Sequence, residues 1–366
     1  MAEDTLFIAQ YQPIVPHYRV DFFRVMGEKV GGQDIFIYDG LQKAANGSFC
    51  VGDIHCERIP SVVLSSGIVA STPFPLLSRK YKVLVLMLHW GHLTTWLLLL
   101  TKWLHRKRII LWGQGISVKR YLKEEKKPDW KFRLMISLAD GVWFYMDKEK
   151  EQWQKLFPRK PMVALRNTLS GVERMSAYVP TESIDQLKKK YGIQEERVLI
   201  FCARFTPYRR IDLLLDVIHH LDKTRFGLII IGDGDCKPDF SEFGNVHDFG
   251  RVYDDSVKRE LFSIADIYFQ PGWVGLSIVE AMAYGKPIFT FRRSEETLQC
   301  VEYSYIKDGV NGKIFSSASE CVSGIENISD EEMKKMGENA RDYAKNNLTI
   351  ENMVNNGLSV IKRVCK

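Results

Sequence analysis

The chain has 366 residues, enough for two domains of ordinary size, and its apolar and charged fractions of 45% and 26% are those of a globular protein. Residues 1–165 carry 24 Lys and Arg against 15 Asp and Glu, a net charge of +9, so the formal total of +6 leaves −3 for the remainder. A basic amino-terminal half suits a lipid surface, a diphosphate or nucleic acid, and charge alone does not choose among these partners.

The amino terminus, MAEDTLFIAQ, has two acids where a signal peptide needs basic residues. The longest apolar stretch, TTWLLLLTKWL, is too short to span a bilayer. We therefore expect a cytoplasmic protein, either soluble or peripheral on the inner face of the membrane. The seven cysteines are odd in number and include no Cys-x-x-Cys spacing, so reduced and mostly buried thiols are predicted.

Short apolar runs bounded by turn residues recur through the first half of the chain, with longer amphipathic segments between most of them. These runs are TLFIAQY, DIFIYDG, KVLVLML, RIILWG and GVWFYM. Strands that alternate with helices predict a parallel sheet with helices on both faces. Residues 1–165 are therefore predicted to form one doubly wound domain.

The segment TKWLHRKRII, residues 101–110, follows a run of leucines. Basic residues beside Trp and Leu on an amphipathic helix suit an anionic lipid surface. The alternative is a helix that packs its apolar face on the sheet and leaves its cations in water. Both interpretations stay open at this point.

Residues 166–195 contain few buried-strand runs and are predicted to be a linker with a surface helix. A second series of strand-like runs then predicts another doubly wound domain over residues 196–345: RVLIFCARF, FGLIIIGDGD, DIYFQP and KPIFTF. Ligands of such sheets bind at the carboxyl ends of the strands. With two such domains, we expect the site in a cleft between them.

Polar groups follow several of these later strands. In ARFTPYRR, Arg204 closes a strand and Arg209 and Arg210 lie in the next loop, where arginines can grip a phosphate bidentately. A solvated basic loop explains this segment equally well when it is considered alone. The turn in IIIGDGD is weak evidence, since such turns also occur for geometric reasons. The loop of residues 250–253, which includes Val252, could hold a base by backbone contacts, although spacing does not establish this.

The stretch PGWVGLSIVEAMAYGKP, residues 271–287, predicts a Gly-rich loop and then a helix that stops at Gly285. The N–H groups of Gly275, Leu276 and Ser277 would make an anion site at the helix N-terminus. A carboxylate cannot itself bind a phosphate, so Glu280 would accept hydrogen bonds from ribose hydroxyls. The alternative is that Ser277-x-x-Glu280 forms a capping box and serves only the helix.

Together, these motifs resemble the carboxyl-terminal domain of retaining GT-B glycosyltransferases. The resemblance is collinear from about residue 198 to residue 316 and closest to family 4 of the sugar-nucleotide-dependent enzymes, in a branch associated with surface polysaccharide synthesis. It rests on the strand followed by Arg-x4-Lys/Arg and on the segments IIGDG, VEAMAYGKPI and IKDGVNGKIF. The resemblance implies an α/β GT-B fold of two doubly wound Rossmann-like domains that face a central cleft.

The resemblance also implies roles for single residues. Arg204 and Arg209 match the family's two cations on the donor diphosphate, and Arg210 stands where a glycine is usual. Glu280 matches the second glutamate of the Glu-x7-Glu motif, the ribose ligand. The first glutamate, which usually faces the donor sugar, is replaced by Gly272, a departure that we interpret as a trait of this branch. Glu302 resembles a further acidic position.

The resemblance is weaker over residues 1–165. Tyr18 and Arg19, in the loop after the first strand, resemble a Tyr-Arg pair of the branch near the donor phosphates. Family members often carry a histidine close to the reacting sugar, and here Gln114 is the nearest polar side chain, with His89 and His92 as alternatives. The terminal helix, residues 346–366, is expected to return toward the first domain.

The resemblance implies transfer of a sugar from a nucleotide-diphosphate sugar to a lipid-linked glycan acceptor. The reaction would serve bacterial surface polysaccharide synthesis and proceed with retention at the anomeric carbon. No cofactor and no metal are implied, because arginines take the place of a cation. An epimerase on the same scaffold and a non-catalytic nucleotide-sugar-binding partner are the alternatives. A nucleic-acid partner is disfavoured, since the basic residues form no recognition element.

Overall fold

The computed structural model describes residues 6–38, 54–65 and 67–366. It divides into two compact units of similar size. Unit 1 comprises the chain up to Ser170 together with Ile350–Lys366, and unit 2 is Gly171–Thr349. The segment predicted as a linker, residues 166–195, is split at this boundary, with most of it in unit 2.

Unit 1 is built on a parallel sheet of seven strands, in the order β3-β2-β1-β6-β7-β8-β9, with a separate antiparallel pair, β4 and β5. Five of the main-sheet strands, β1, β2, β6, β7 and β8, match the predicted apolar runs, whereas β3 and β9 were not predicted. The five residues of the first strand are all buried. The strands are β1 (Ile8–Gln12), β2 (Gln33–Tyr38), β3 (Cys56–Ile59), β4 (Ser61–Ser65), β5 (Ile68–Ser71), β6 (Val83–Met87), β7 (Arg108–Gly113), β8 (Gly141–Phe144) and β9 (Met162–Ala164).

Helices connect these strands and cover the sheet. They are α1 (Val20–Val30), α2 (Leu93–Leu100), α3 (Lys102–His105), α4 (Tyr121–Lys126), α5 (Trp130–Leu138) and α6 (Asp147–Leu156). The chain passes from β1 to β2 on one side and returns to β6 on the other. The loops after β1 and β6 therefore meet at the point where the strand order reverses, the usual ligand position in such sheets.

Unit 2 has a parallel sheet of six strands in the order β12-β11-β10-β13-β14-β15. These strands are β10 (Arg197–Cys202), β11 (Phe226–Ile231), β12 (Val246–Asp248), β13 (Ile267–Phe269), β14 (Ile288–Phe291) and β15 (Gly312–Phe315). The helices are α7 (Val172–Ser176), α8 (Ile184–Tyr191), α9 (Ile211–His220), α10 (Asp255–Ile264), α11 (Ser277–Ala283), α12 (Ala318–Glu326) and α13 (Asp330–Asn347). Its strand order reverses between β10 and β13, so the loops after these two strands are neighbours.

The last helix, α14 (Ile350–Cys365), belongs to unit 1. Its apolar face, which includes Met353 and Ile361, shares a buried cluster with Phe22 and Trp143. At Gly357 an added Cβ would lie 2.9 Å from the methyl carbon of Met26, so α14 approaches α1 closely at this position. The α/β fold class with parallel sheets is thus confirmed, whereas the predicted cleft stays a prediction.

Two smaller predictions have different outcomes. None of the helices within the described ranges is long and apolar enough to cross a bilayer. The prediction of reduced cysteines is wrong at Cys56, which is disulfide-bonded. Five further cysteines of the described chain are free thiols, and Cys202 and Cys321 among them are buried.

Candidate functional site

The loops after β10 and β13 bring together most of the residues predicted for the donor. Arg204 lies two residues beyond β10, and a short 3-10 turn, Pro207–Arg209, follows it. The loop after β13 leads through Gly272 to α11. The hydroxyl of Tyr268, on β13, donates to the carbonyl of Cys202 on β10 at 3.0 Å and so ties the two strand ends together.

The three arginines of the first loop have different surroundings. Arg204 is exposed, and its guanidinium has no hydrogen-bond or ion-pair partner in the described part of the chain. Arg210 adopts a left-handed conformation with φ 54°, which explains why a glycine suits this position. Its side chain is held by Asp212, with an N···O distance of 2.6 Å, and by Thr297. Arg210 is therefore engaged by the protein itself.

Arg209 is largely buried and only partly satisfied. Its Nη1 donates to the carbonyl oxygen of Trp273 at 2.7 Å, whereas its buried Nε has no hydrogen-bond partner within the described residues. Burial lowers the pKa of this guanidinium, because a charge removed from water is disfavoured. A buried cation with an unused donor is a favourable partner for an anion.

Two buried glutamines fix the loop after β13. Gln270 donates to the carbonyls of Gly272 and Trp273, at 3.1 and 2.9 Å. Gln299 accepts from the N–H of Val274 at 2.8 Å and donates to the carbonyl of Pro271 at 3.0 Å. The loop therefore keeps a defined backbone path in the absence of any ligand. Neither glutamine was predicted, although Gln270 directly precedes the Pro-Gly pair.

Gly272 leaves no space for the glutamate that the family usually carries at this position. A Cβ added there would lie 2.6 Å from the carbonyl oxygen of Tyr208 and 2.9 Å from Cγ of Arg210. The next residue, Trp273, has φ 51° and stacks on Tyr208 with ring centroids 4.6 Å apart. An aromatic pair thus stands beside the position where a carboxylate was expected to face the donor sugar.

The N-terminus of α11 presents three unused N–H groups. Those of Gly275, Leu276 and Ser277 have no acceptor within the described residues. The capping box considered for Ser277 and Glu280 is not formed, because α11 has no side-chain cap and its N-cap residue is Leu276. The Ser277 hydroxyl instead donates to Oε1 of Gln270 at 3.0 Å. The side chain of Glu280 is therefore available for another role.

Glu280 pairs with a lysine that sequence analysis did not single out. Nζ of Lys258, on α10, lies 2.7 Å from Oε2 of Glu280, and both side chains are mostly buried. Burial by itself lowers the pKa of Lys258, but the carboxylate of Glu280 outweighs it and leaves that pKa raised. The ion pair thus fixes the position of the Glu280 side chain in the first turn of α11. Glu302 is also buried, in the 3-10 segment Val301–Tyr305.

Glycines join the neighbouring loops through backbone contacts. A Cβ at Gly232 would lie 2.0 Å from the carbonyl oxygen of Ala203, and the N–H of Gly232 donates to the carbonyl of Gly250 at 2.7 Å. The close packing accounts for the GDG turn without a ligand. Val252 lies half-buried just beyond Gly250, and its own N–H and carbonyl have no partner in the described chain.

Unit 1 has a cavity of about 350 Å³ at its own reversal of strand order. Tyr18 and Arg19 line it, together with side chains from the loops after β1 and β6. Arg19 is buried and donates to Oδ1 of Asn167 at 2.8 Å, with its guanidinium 4.6 Å from the ring centre of Trp112. This arginine is therefore held in place by side chains of unit 1 and also forms part of the cavity wall.

The histidines of this cavity are neutral groups. Burial, aided by the neighbouring His89, lowers the pKa of His92 to about 3. Its Nε2 lies 3.1 Å from the hydroxyl of Tyr38, and its buried Nδ1 has no partner among the described residues. Burial also lowers the pKa of His89. Gln114, after β7, is half-buried, has no side-chain hydrogen bond in the described chain and does not line this cavity.

Comparison with known proteins finds a family similarity in the second half of the chain. Residues 183–346 match the family model of the glycosyl transferases group 1. The match covers a little under half of the chain, and over this range the chain is similar to the group 1 glycosyl transferases. The matched range contains Arg204, Arg209 and Glu280, the residues that carried the resemblance in the sequence.

Similar proteins extend the likeness to both units. A 41.2 kDa protein of the cps region of Klebsiella pneumoniae is 27% identical over 200 residues, 50% of this chain and 51% of its own. This chain spans about half the length of the curated relatives that it matches. Among solved structures, HepE of Anabaena in complex with UDP has a TM-score of 0.66 at 13% identity, covering 98% of this chain and 100% of its own.

The lipopolysaccharide outer core galactosyltransferase WaaB is similar to the same extent, with a TM-score of 0.66 at 14% identity, over 98% of this chain and 99% of its own. At such low identity these structures establish the fold alone. The predicted GT-B class, with two Rossmann-like domains, is confirmed. The roles of the individual site residues stay predictions.

Proposed function

We propose that the protein is a glycosyltransferase that moves a sugar from a nucleotide-diphosphate donor to a glycan acceptor. The observation that carries this proposal is the buried, partly unsatisfied guanidinium of Arg209, in the loop that neighbours the N–H groups at the start of α11. Both features favour an anion, and both lie in the part of the chain that matches the group 1 family.

In this proposal the donor lies along the strand ends of unit 2. Arg204, Arg209 and the N–H groups of Gly275, Leu276 and Ser277 bind the diphosphate. Glu280, charged beside Lys258, accepts hydrogen bonds from the ribose hydroxyls. The unpaired backbone groups of Val252 contact the base. HepE, a structural neighbour, is described in complex with UDP, so uridine nucleotides are the first donors to test.

In this proposal, unit 2 contributes to catalysis by electrostatic stabilisation of the leaving group. When the bond between the sugar and the diphosphate breaks, negative charge grows on the departing diphosphate, and Arg204 and Arg209 neutralise it. Preorganised donors of this kind contribute several kcal/mol of transition-state stabilisation, about 3 kcal/mol for one well-placed group. We propose that the configuration at the anomeric carbon is retained. A hydroxyl group of the acceptor would attack that carbon from the face that the diphosphate leaves, and its proton would pass to the departing diphosphate.

We assign acceptor binding to unit 1 and propose a lipid-linked glycan of a bacterial surface polysaccharide as the acceptor. The cavity of unit 1 supports this assignment, since the neutral imidazoles and tyrosines that line it suit sugar hydroxyl groups. The match to a protein of a cps region supports the polysaccharide context. Tyr18 and Arg19 would lie toward the donor phosphates, and Gln114 toward the reacting sugar.

The test is a thermal-shift titration with a panel of nucleotide sugars, starting with the uridine series. We expect one donor to raise the Tm selectively, and we expect Arg204→Ala and Glu280→Ala each to abolish that shift. Arg225→Ala is the control, because Arg225 lies at the amino-terminal end of β11 and pairs with Glu196. A normal shift in both site variants would contradict the donor site.

A second measurement separates transfer from the alternatives. With the selected donor, a glycosyltransferase releases nucleoside diphosphate in proportion to added glycan acceptor. Conversion of the donor sugar without release of diphosphate would identify an epimerase instead. If the protein binds the donor selectively but catalyses neither reaction with lipid-linked or free glycan acceptors, it is a non-catalytic binding partner. The glycine at position 272, where the family usually carries a glutamate, favours this alternative.

A further inference from the structure

The leucine-rich segment of unit 1 presents its apolar side to water. On α2 and α3 the exposed positions are Leu93, Leu97, Leu100 and Leu104, spaced as one stripe along a helical surface. Beside them, the side chain of Trp103 is 75% exposed. The opposite side of α2 buries Thr94 and Thr95 as well as Leu98 and Leu99. We call the four exposed leucines and Trp103 the leucine stripe.

Two lysines of the same segment, Lys102 and Lys107, are turned inward. Nζ of Lys102 donates to the carbonyl of Leu138 at 2.8 Å and lies 3.1 Å from a carboxylate oxygen of Asp140. Lys107 is buried and donates to the carbonyls of Ser78 and Tyr81. A helix that only packed on the sheet would bury its leucines and leave its lysines in water. Here four leucines are exposed while Lys102 and Lys107 contact the protein interior, and the folding of unit 1 alone does not explain this arrangement.

Further apolar side chains adjoin the stripe. Helix α5 packs against α2 and exposes Trp130 and Leu134. Trp90, just before α2, is partly exposed and has Nζ of Lys131 4.2 Å from its ring centre. Tryptophans next to a cation are typical of the interface between a bilayer and water, because the ring is apolar and its N–H remains near the head groups.

A basic cavity of about 530 Å³ lies where α3 ends. Residues that line it include Arg79, Lys82, His105, Arg106 and Arg108, and no lining residue is an aspartate or glutamate. Arg79 and Arg106 have no ion-pair partner in the described ranges, whereas Arg108 lies 3.5 Å from Asp140. Arg106 follows Trp103 by three residues. A surface for apolar chains and a site for anions are therefore adjacent along the chain.

We propose that this face of unit 1 docks on a bilayer of anionic phospholipid, with the leucine stripe among the acyl chains and head-group phosphates in the basic cavity. A bilayer offers both chemistries, because its apolar acyl chains lie directly beneath the head-group phosphates. A second copy of the protein fits less well, because pairing of two such faces would bring two cation-rich cavities to one interface. The proposal does not depend on the transfer reaction.

Vesicle sedimentation tests the docking surface directly. The full chain is mixed with vesicles of phosphatidylcholine alone and of phosphatidylcholine with phosphatidylglycerol in equal parts. We expect preferential binding to the anionic vesicles. The variant Leu100→Gln/Trp103→Gln should lower the partition coefficient about tenfold, since two apolar side chains no longer enter the acyl region. Substitution of exposed apolar residues should leave the fold intact, which the Tm checks.

The charge contribution is measured separately with Arg79→Ser and Arg106→Ser. Each should weaken binding to anionic vesicles about fivefold and leave the weak binding to phosphatidylcholine unchanged. Matched controls in unit 2 are Val179→Gln, whose side chain is 77% exposed, and Lys335→Ser on α13. Neither control should alter partition.

Two results would overturn the proposal. The first is equal partition of the stripe variant, the arginine variants and the controls. The second is evidence of self-association in analytical ultracentrifugation. If the native chain is a dimer, and Leu100→Gln/Trp103→Gln is a monomer whose vesicle binding is unchanged, then the leucine stripe serves self-association. Donor-dependent thermal shifts, measured on the same variants, should be unaffected, so failure of docking is distinguishable from failure of the donor site.

Discussion

Each unit has a largely buried arginine near the point where its strand order reverses. The two arginines differ in how far the protein satisfies their hydrogen-bond donors. Arg19 in unit 1 donates to Asn167 at 2.8 Å and is covered by the ring of Trp112. Arg209 in unit 2 has one bond, to the carbonyl of Trp273, and a buried Nε without a partner in the described chain. The basic composition of the first half therefore does not locate the anion site. We propose the anion site in unit 2, on the strength of the unpartnered Nε of Arg209.

The largest effect is expected from Arg209→Met, which tests this contrast. Methionine keeps the apolar part of the side chain and removes the buried charge, so affinity for the selected nucleotide sugar should fall about 100-fold, or about 3 kcal/mol. The Tm without ligand should not fall, because a cation with an unsatisfied donor is lost from the interior. Isothermal titration and a thermal melt measure the two quantities.

The companion variant is Arg19→Met in unit 1. Removal of this guanidinium breaks its hydrogen bond to Oδ1 of Asn167 and its contact with the ring of Trp112, so the Tm should fall. The affinity for the nucleotide sugar should change less than in Arg209→Met. If Arg19→Met instead lost affinity as strongly as Arg209→Met, at an unchanged Tm, then the contrast between the two arginines would be wrong.

A second prediction concerns pH and the neutral imidazoles of the cavity in unit 1. Burial, aided by the neighbouring His89, lowers the pKa of His92 in the folded protein from its ordinary value of 6.5 to about 3. Between these values the unfolded chain binds a proton that the folded chain does not, so stability must fall as the solution is acidified. The contribution of His92 should amount to about 2 kcal/mol between about pH 6.5 and about pH 4.5.

Urea unfolding at several pH values measures this slope in the native chain and in His92→Gln, which does not titrate. The variant should be less stable near neutral pH, because the contact with Tyr38 is altered, but its stability should depend less on pH over this range. His220→Gln is the control, since His220 is exposed on the surface of unit 2. A slope unchanged by His92→Gln would show that another group titrates.

The third prediction sharpens the account of Gly272. In Gly272→Ala the new Cβ meets the backbone of Tyr208, which cannot move aside as a side chain would, so a loss of about 1–3 kcal/mol in unfolding free energy is expected. Gly275→Ala is a matched control in the same loop, because its Cβ would find Sγ of Cys300 at 3.8 Å, an ordinary contact. Equal destabilisation of both variants in urea would remove the steric explanation.

These residues also show which features a sequence can predict. The strands were visible because buried parallel strands are continuous apolar runs, and Arg209 and Glu280 were found because each belongs to a local motif beside a strand end. Local sequence could not choose between the capping box and the ribose ligand for Glu280. The structure excludes the capping box, because the N-cap residue of α11 is Leu276 and no side chain caps the helix. The partner of Glu280, Lys258, is 22 positions away and lies in a segment, DDSVKREL, that reads as a solvated surface helix.

The leucine-rich segment was left open for a related reason. Its periodicity shows that α2 has an apolar face, but it cannot show which face meets the sheet when Leu and Thr alternate around the helix. The outward direction of the leucine stripe is decided by tertiary contacts, including the bonds of Lys102 and Lys107 to distant carbonyls. Likewise, the misfit of a side chain at Gly272 arises from the backbone of a different loop.

The smallest effect is expected from Lys258→Met, which asks whether Lys258 is a positioning residue for Glu280. Without the ammonium group the carboxylate is held less firmly, and affinity for UDP should fall about fivefold, or about 1 kcal/mol. Inorganic pyrophosphate lacks the ribose, so its affinity should not change, and Lys258→Arg should restore binding of UDP. The control is Lys190→Met. This substitution breaks an ion pair between Lys190 on α8 and Glu260, which lies on α10 like Lys258. Equal losses for UDP and pyrophosphate would mean that Lys258 acts on the diphosphate or on the fold, and not through Glu280.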